Sequence, residues 1–428
     1  MSKAYPTYKD SGIEWLGQIP THWDLLRNKI FITEHDNVVG QDAYKYTLLS
    51  LTKQGVIQRD IESGKGKFPK EFDNYKIVES GNIIFCLFDV DETPRTVGLS
   101  SIDGMITGAY NVFSIKGINS QFYYYYFLAV DEAKALRPLY SGLRKVVKTE
   151  RFAGLRIPVP PEEEQRQIVA YLDYKSNKIN ERICQREREL QTLSELKQTE
   201  IAAVVTRGLD PNVPMKESGI EWIGQIPAHW EIKYLSQIAE EHYISNKDVH
   251  HQNLLSLSYG RIVRKDINTT EGLLPASFDT YQVIEKGNII LRLTDLQNDH
   301  KSLRIGLVTE EGIITSAYIC IQSRRAVLPE YLYLLLHSYD ICKVFYGMGG
   351  GLRQSLSYAD IKRIPIIIPA IPEQVEIIKH INAKTKNIDI YMESLKKEIE
   401  LLQEYKQRLI SDVVTGKVDV RGVEIPNE

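Results

Sequence analysis

Ser11-Gly-Ile-Glu-Trp-Leu-Gly-Gln-Ile-Pro-Thr-His-Trp23 returns as Ser218-Gly-Ile-Glu-Trp-Ile-Gly-Gln-Ile-Pro-Ala-His-Trp230, and only two of the thirteen positions differ. Chance does not place two tryptophans, two glycines, a proline and a histidine twice in one order. The chain is a tandem duplication with a shift of 207 residues.

The match continues in islands. Glu79-Ser80-Gly81-Asn82-Ile83-Ile84 answers Glu285-Lys286-Gly287-Asn288-Ile289-Ile290, and Ile106-Thr107-Gly108-Ala109-Tyr110 answers Ile314-Thr315-Ser316-Ala317-Tyr318. Gly142-Leu143-Arg144 and Arg156-Ile157-Pro158 return as Gly351-Leu352-Arg353 and Arg363-Ile364-Pro365. Between the islands the copies diverge freely. One framework carries two different surfaces, as a protein reading two different halves of one target requires.

The chain's 428 residues suffice for two or three domains, each with its own core. A hydrophobic content of 43% and a charged content of 25% place it among ordinary globular proteins. No apolar run approaches the ~18 residues of a membrane span, and the start lacks a signal-peptide layout, so a cytoplasmic location is expected. Cys86, Cys184, Cys320 and Cys342 are scattered without CxxC spacing, which argues against structural zinc and a disulfide framework. The net charge of −3 does not advertise nucleic-acid binding, but local charge distribution decides that question.

In the first copy Gly and Pro punctuate the Trp segment too often for a long helix, so a docking loop with short turns is expected. Apolar runs at 47–51, 81–87 and 110–115 predict strands, and the Tyr-, Phe- and Leu-rich run 121–136 predicts a buried helix. The second copy repeats this order, with strands near 253–257 and 288–291 and a helix from about Glu330.

Glu162 to Thr206 contains no Gly or Pro and predicts one long helix, its acidic first turn suited to the positive end of the helix dipole. A second long helix is expected from about Pro372 to Thr415, stopped by Gly416. On a 4-3 spacing the second helix has eight apolar residues in the ten slots from Ile381 to Val413, and the first has six of ten from Leu172 to Val204. Such stripes predict a coiled-coil pair. A parallel, in-register pair would oppose Lys197 and Lys406, so the expectation is antiparallel packing, with each lysine near an aliphatic of the other helix. The alternative is that each helix packs only on its own domain.

These features together resemble the DNA-specificity subunit of type I restriction-modification enzymes. The words that carry the resemblance are Ile157-Pro158-Val159-Pro160-Pro161-Glu162-Glu163-Glu164-Gln165, Ile364-Pro365-Ile366-Ile367-Ile368-Pro369 with Pro372-Glu373-Gln374, the two Gly-Leu-Arg words and the Trp-Ile-Gly-Gln-Ile-Pro-x-His-Trp opening. The resemblance spans nearly the whole chain. It implies a mixed α/β fold: two tandem α+β target-recognition domains joined by two long helices in an antiparallel, pseudo-twofold coiled coil. On this reading residues 1–161 and 208–371 are the recognition domains, 162–207 and 372–416 the spacer helices, and 417–428 a tail. Each domain would read one half of a bipartite site in double-stranded DNA. The helices would fix the gap and dock two methyltransferase subunits, with motor-nuclease subunits joining them. S-adenosylmethionine, ATP and Mg would be used by those partners and not by this chain.

The residues agree with a non-catalytic chain. No Asn-Pro-Pro-aromatic or Asp-Pro-Pro-aromatic word, Walker loop or acidic-plus-lysine nuclease motif is present. Gly347-Met348-Gly349-Gly350-Gly351 reads as a turn or a flexible loop beside DNA.

Phosphate contacts call for Lys and Arg in loops, and base readout for side chains that reach groove edges. The candidates are Lys53, Lys65, Lys67, Arg144, Lys145 and Lys148 in the first copy, and Tyr259, Arg261, Arg264, Lys265, Arg292, Arg353 and Gln354 in the second. Arg144 and Arg353 are shared between the copies, which suits backbone positioning. Specificity should sit where the copies differ, as at Lys53 against Tyr259 or Cys86 against Arg292. Trp15, Trp23, Trp222 and Trp230 are either core or partner anchors. His22 and His229 lack metal-ligand neighbours and are expected to make structural hydrogen bonds. Two other functions stay open: a coiled-coil scaffold joining two protein-binding domains, and a self-contained DNA methyltransferase.

Overall fold

Short β-branched runs bounded by glycine and asparagine form short strands, and the duplication makes them form twice. The computed structural model describes residues 4–59, 71–142, 145–247, 251–267, 277–297, 303–348 and 355–426. The chain divides into two units, one of residues 1–187 with 397–428, the other of residues 188–396.

In the first unit a four-stranded antiparallel sheet has the order Ile32–His35, Asn111–Ile115, Ile83–Phe85, Val97–Leu99. The second unit repeats that order with Ala239–Glu241, Ile319–Ser323, Ile289–Leu291 and Ile305–Leu307. The helices Ser120–Glu132 and Pro329–Ile341 are almost wholly buried in their units, as their apolar composition requires. Asn119 caps the first by accepting from the backbone N–H groups of Gln121 and Phe122, and Pro329 opens the second at the position where a missing N–H costs nothing.

The Trp segments, expected as loops, are closed by strand pairs: Tyr8–Asp10 with Gln18–Pro20, and Met215–Glu217 with Gln225–Pro227. The Ile-Pro words are strands as well. Arg156–Val159 pairs with Asp24–Arg27, and Pro365–Ile368 with Glu231–Tyr234, so each copy closes on the strand that follows its second tryptophan.

Two long helices run Glu162–Arg207 and Ile371–Val414. Their ends are shared between cores. The first unit's core contains Ile168 and Leu172 from the first helix with Leu409, Ile410, Val413 and Val414 from the second. The second unit's core contains Ile377 and Ile381 with Ile201, Val204 and Val205. A repeat of the sequence is therefore not a unit of the structure, because each unit takes the start of one long helix and the end of the other.

Between the helices polar side chains make specific pairs. In the second unit the Lys197 ammonium donates to both Asp389 carboxylate oxygens at 2.6 and 2.7 Å, and the Tyr391 hydroxyl to Glu189 at 2.5 Å. In the first unit Lys406 donates to Asn180 Oδ1 at 2.8 Å, and Arg182 to Glu398 at 3.1 Å. Each stripe lysine thus also reaches a polar oxygen that the heptad pattern does not name, since an ammonium without one would forfeit its hydrogen bonds.

Candidate nucleic-acid interface

Each unit carries a tight two-stranded hairpin, Leu49–Thr52 with Gly55–Gln58 and Leu255–Ser258 with Arg261–Arg264. The tips are Lys53-Gln54 and Tyr259-Gly260. Tyr259 and Gly260 both have positive φ, 47° and 76°, which is the two-residue turn that matches the twist of a hairpin. It leaves the Tyr259 ring 80% exposed. Each hairpin is seated on a glycine of the four-stranded sheet. A Cβ at Gly98 would stand 2.6 Å from Leu51 and 2.7 Å from Val56; one at Gly306 would stand 2.5 Å from Leu257 and 2.9 Å from Ile262. Sequence reasoning passed over these glycines, although both begin a Gly-Leu pair that recurs in the duplication.

The other candidates separate by their partners. Arg261 is exposed and lies 3.7 Å from Asp389. Arg264 is engaged with Glu310 through both Nε and a terminal nitrogen, and this contact holds the Glu310 carboxyl below its usual pKa. Lys265 is exposed, and its backbone N–H donates to the Leu254 carbonyl at 2.8 Å. Lys145 sits at a positive φ of 47° beside Asp91 at 3.7 Å and Glu92 at 3.4 Å. Lys148 is exposed just before the helical turn Thr149–Gly154. Lys65, Lys67, Arg144, Arg353 and Gln354 lie outside the described residues, as does most of the Gly347–Gly351 run.

Arg292 is half-buried, and its backbone N–H donates to the Arg304 carbonyl at 2.8 Å. Arg304 escaped sequence reasoning altogether. It is fully buried, and its guanidinium donates to the carbonyls of Arg292 and Thr294 at 3.0 and 2.8 Å and to the Tyr346 hydroxyl at 2.8 Å. In the first unit Lys134 does the same work, donating to the Val90 and Thr93 carbonyls at 3.1 and 3.2 Å and to Asp131 at 3.0 Å. A cation, half-buried as Lys134 and fully buried as Arg304, thus shapes the loop after Ile83–Phe85 and after Ile289–Leu291. The two come from different places in the sequence, so comparing the repeats does not reveal them.

The structure groups Lys53 with residues that sequence reasoning did not join to it. Lys53 and Gln54 line a cleft of about 730 Å³ with Arg95, Asn180, Gln403 and Lys406. This sets the first hairpin's tip beside both long helices within its unit.

The invariant Trp and His are structural. Trp23 and Trp230 are buried, and their indole N–H groups donate to Glu164 and Glu373 at 2.9 and 3.0 Å. His22 and His229 meet the second oxygens of the same carboxylates at 2.8 and 2.9 Å. Glu164 also accepts from the Tyr5 hydroxyl at 2.6 Å, and burial followed by this carboxylate pushes the Tyr5 pKa up. So Glu164 does more than complement a helix dipole: it ties the Trp segment to the start of the long helix. Trp222, by contrast, is exposed.

Among the described residues, no group of three or more His, Cys, Asp or Glu side chains is placed to hold a metal ion. Cys86 and Cys320 are buried, and burial pushes the Cys320 thiol up to about 12, which suits packing and not nucleophilic chemistry. No helix among the described residues is long and apolar enough to cross a membrane.

Comparison with known proteins bears on this arrangement. The sequence model of a family described as type I restriction modification DNA specificity domain matches residues 40–190 and 230–401. A putative type I restriction enzyme specificity subunit, MjaX, of Methanocaldococcus jannaschii is 21% identical, over 95% of this chain and 96% of its own. The MjaVIII specificity subunit of the same organism is 24% identical over 64% of each chain. Among solved structures, a chain from a type I R-M system has a similar fold, with a TM-score of 0.60 at 13% identity over 94% of this chain and 99% of that one.

Proposed function

The chain belongs to the type I restriction-modification DNA specificity family, and from that membership we propose that each of its units reads one half of a bipartite double-stranded DNA site. The observation that carries the proposal is the repeated hairpin. One framework, seated on Gly98 or Gly306, presents Lys53-Gln54 in one copy and Tyr259-Gly260 in the other. Constant seating with variable tips is what two different half-sites require. Arg261, Lys265 and Arg292 join Tyr259 as candidate contacts in the second unit, and Lys148 joins Lys53 in the first. Arg264 and Lys145 would have to leave Glu310 and Asp91 to reach DNA.

The long helices are proposed to form an antiparallel, pseudo-twofold coiled coil whose length sets the gap between half-sites. The polar pairs support this. Asn180, Lys197, Asp389 and Lys406 are related by a shift of 209 residues, so Lys197 on Asp389 and Lys406 on Asn180 are one contact seen twice. Such reciprocity is what a twofold interface would produce. Leu196, Ile390, Leu401 and Tyr405 remain exposed on these helices and favour docking of two methyltransferase subunits there. On this reading motor-nuclease subunits complete the assembly, S-adenosylmethionine, ATP and Mg act in the partners, and this chain catalyses nothing.

Mapping methylated adenines in DNA from cells carrying the chain with its methyltransferase, and again without the chain, tests the proposal. A split motif present only with the chain is the expected result. A continuous motif, or methylation independent of the chain, would overturn it. Removing one heptad from each long helix should then shorten the gap and leave both half-motifs unchanged.

A further inference from the structure

The two copies of the helix contact differ in charge. In the second unit Lys197 is neutralised by Asp389, and Arg261 of the hairpin approaches the same carboxylate at 3.7 Å. In the first unit the equivalent of Asp389 is Asn180, which gives Lys406 an oxygen but no charge. Lys53 and Arg95 line the same cleft. Among the described residues none of these three cations has a carboxylate within ion-pair distance. Glu132 and Glu187 also line the cleft without reaching them, leaving the lining with one more positive than negative side chain. Burial, followed by the nearby Arg95, holds the Lys406 ammonium below its usual pKa.

We propose that this cleft is an anion site for a phosphodiester of the DNA backbone, the phosphate supplying in the first unit the negative charge that Asp389 supplies in the second. The chemistry of the lining selects that ligand. Three cations converge from the hairpin tip, the loop before Val97–Leu99 and the second long helix, and Gln54, Gln403 and Gln407 add amide donors. A phosphate offers several acceptor oxygens to such a set, and Arg and Lys are its usual partners. With about 730 Å³ of open space the cleft admits a strand of sugar and phosphate. Lys53 and Gln54 belong to the reading hairpin, so a strand engaged by that hairpin passes the cleft. The contact would add affinity without reading bases, and it would be one-sided, made by the first unit alone.

The inference rests on the DNA-reading function, and the test separates the two. DNA affinity of the assembled methyltransferase is measured against KCl concentration for the wild type, Lys406→Gln, Asn180→Asp and Asp389→Asn. Loss of one phosphate contact lowers the slope of log affinity on log salt by about one. Lys406→Gln and Asn180→Asp should each do so, weakening binding several-fold on specific and unrelated DNA alike, with the methylated motif unchanged. Asn180→Asp supplies the partner already tolerated in the second unit, so thermal unfolding should show an intact fold. Asp389→Asn should raise the slope by opening the matching site. Replacing chloride by inorganic phosphate at equal ionic strength distinguishes the source of the anion. Competition with DNA in the wild type but not in Asn180→Asp supports the site. Phosphate binding with DNA slopes unaltered by the variants would make it a small-anion site and overturn the proposal. Unchanged slopes and no phosphate effect would also overturn it, while a split, chain-dependent motif would leave the DNA-reading function standing.

Discussion

At the scale of single residues, Glu164 carries more of the fold than its place in an acidic helix start suggests. It is buried and accepts from Trp23, Tyr5 and His22. Glu164→Ala leaves these groups without their acceptor, and stranding buried donors costs about 1–3 kcal/mol each at most. Unfolding of the variant by urea should show a loss of about 2–4 kcal/mol. Glu373→Ala should lose less, because Glu373 is more exposed and holds only Trp230 and His229. Equal losses would show that exposure does not govern the cost. His337 belongs to the same scale. It is buried, its Nδ1 has no hydrogen-bond partner, and burial with the nearby Lys197 lowers its pKa to about 4. An unfolded imidazole takes its proton near pH 6.5, so between pH 6.5 and 4 the unfolded chain binds the extra proton and stability falls as pH falls, by up to roughly 3 kcal/mol. His337→Leu should flatten the stability profile in that window, and an unaltered acid limb would assign the pH dependence elsewhere.

At the scale of elements, the hairpin is the part that varies while its seat stays constant. Both seats are glycines because the hairpin's aliphatic side chains occupy the space of a Cβ. Transplanting Leu49–Gln58 onto Leu255–Arg264 should change the bases methylated at the half-site of the second unit and leave the other half unchanged. A full change of the motif, or none, would place recognition outside the hairpins. Tyr259→Ala isolates the tip. An exposed ring at a positive φ is not needed for stability, so the variant should fold normally and weaken the specific complex by about tenfold, the lower range for one base contact.

At the scale of the whole molecule, each core takes the end of the helix that begins in the other copy. The second helix carries Val413 and Val414 into the core of the first unit, and the tail that follows continues the packing. Val420 is buried, Gln167 donates to the carbonyls of Val420 and Val423 at 3.3 and 2.8 Å, and the Arg421 guanidinium lies over the Tyr5 ring at 4.9 Å. Removing residues 417–426 should therefore destabilise the first unit selectively. Hydrogen exchange would show faster opening at Tyr5–Asp10 and Gln18–Pro20 with little change at Met215–Glu217 and Gln225–Pro227. Loss of protection in both Trp hairpins alike would contradict the selective role.

The duplication, the two long helices, the strands Leu49–Thr52, Ile83–Phe85, Asn111–Ile115, Leu255–Ser258 and Ile289–Leu291, and the structural roles of His22 and His229 were legible in the amino-acid order. Each rests on local signals: a repeated word, an unbroken helical run, an apolar stretch between turns. Which polar side chains pair across the long helices was not legible: the heptad pattern does not say that the lysines bond Asp389 and Asn180. Nor were Arg304 and Lys134, two cations that do one job from unrelated positions, or the meeting of Lys53 with Arg95 and Lys406. Those depend on contacts between residues tens to hundreds of positions apart, selected by burial and by the need to satisfy buried polar groups. Sequence by itself determined that there are two copies of one framework, because a repeat is written in residue order. Only the tertiary structure decided that the copies exchange helix ends and differ by one charge at their shared contact, because packing is a matter of distance and not of order.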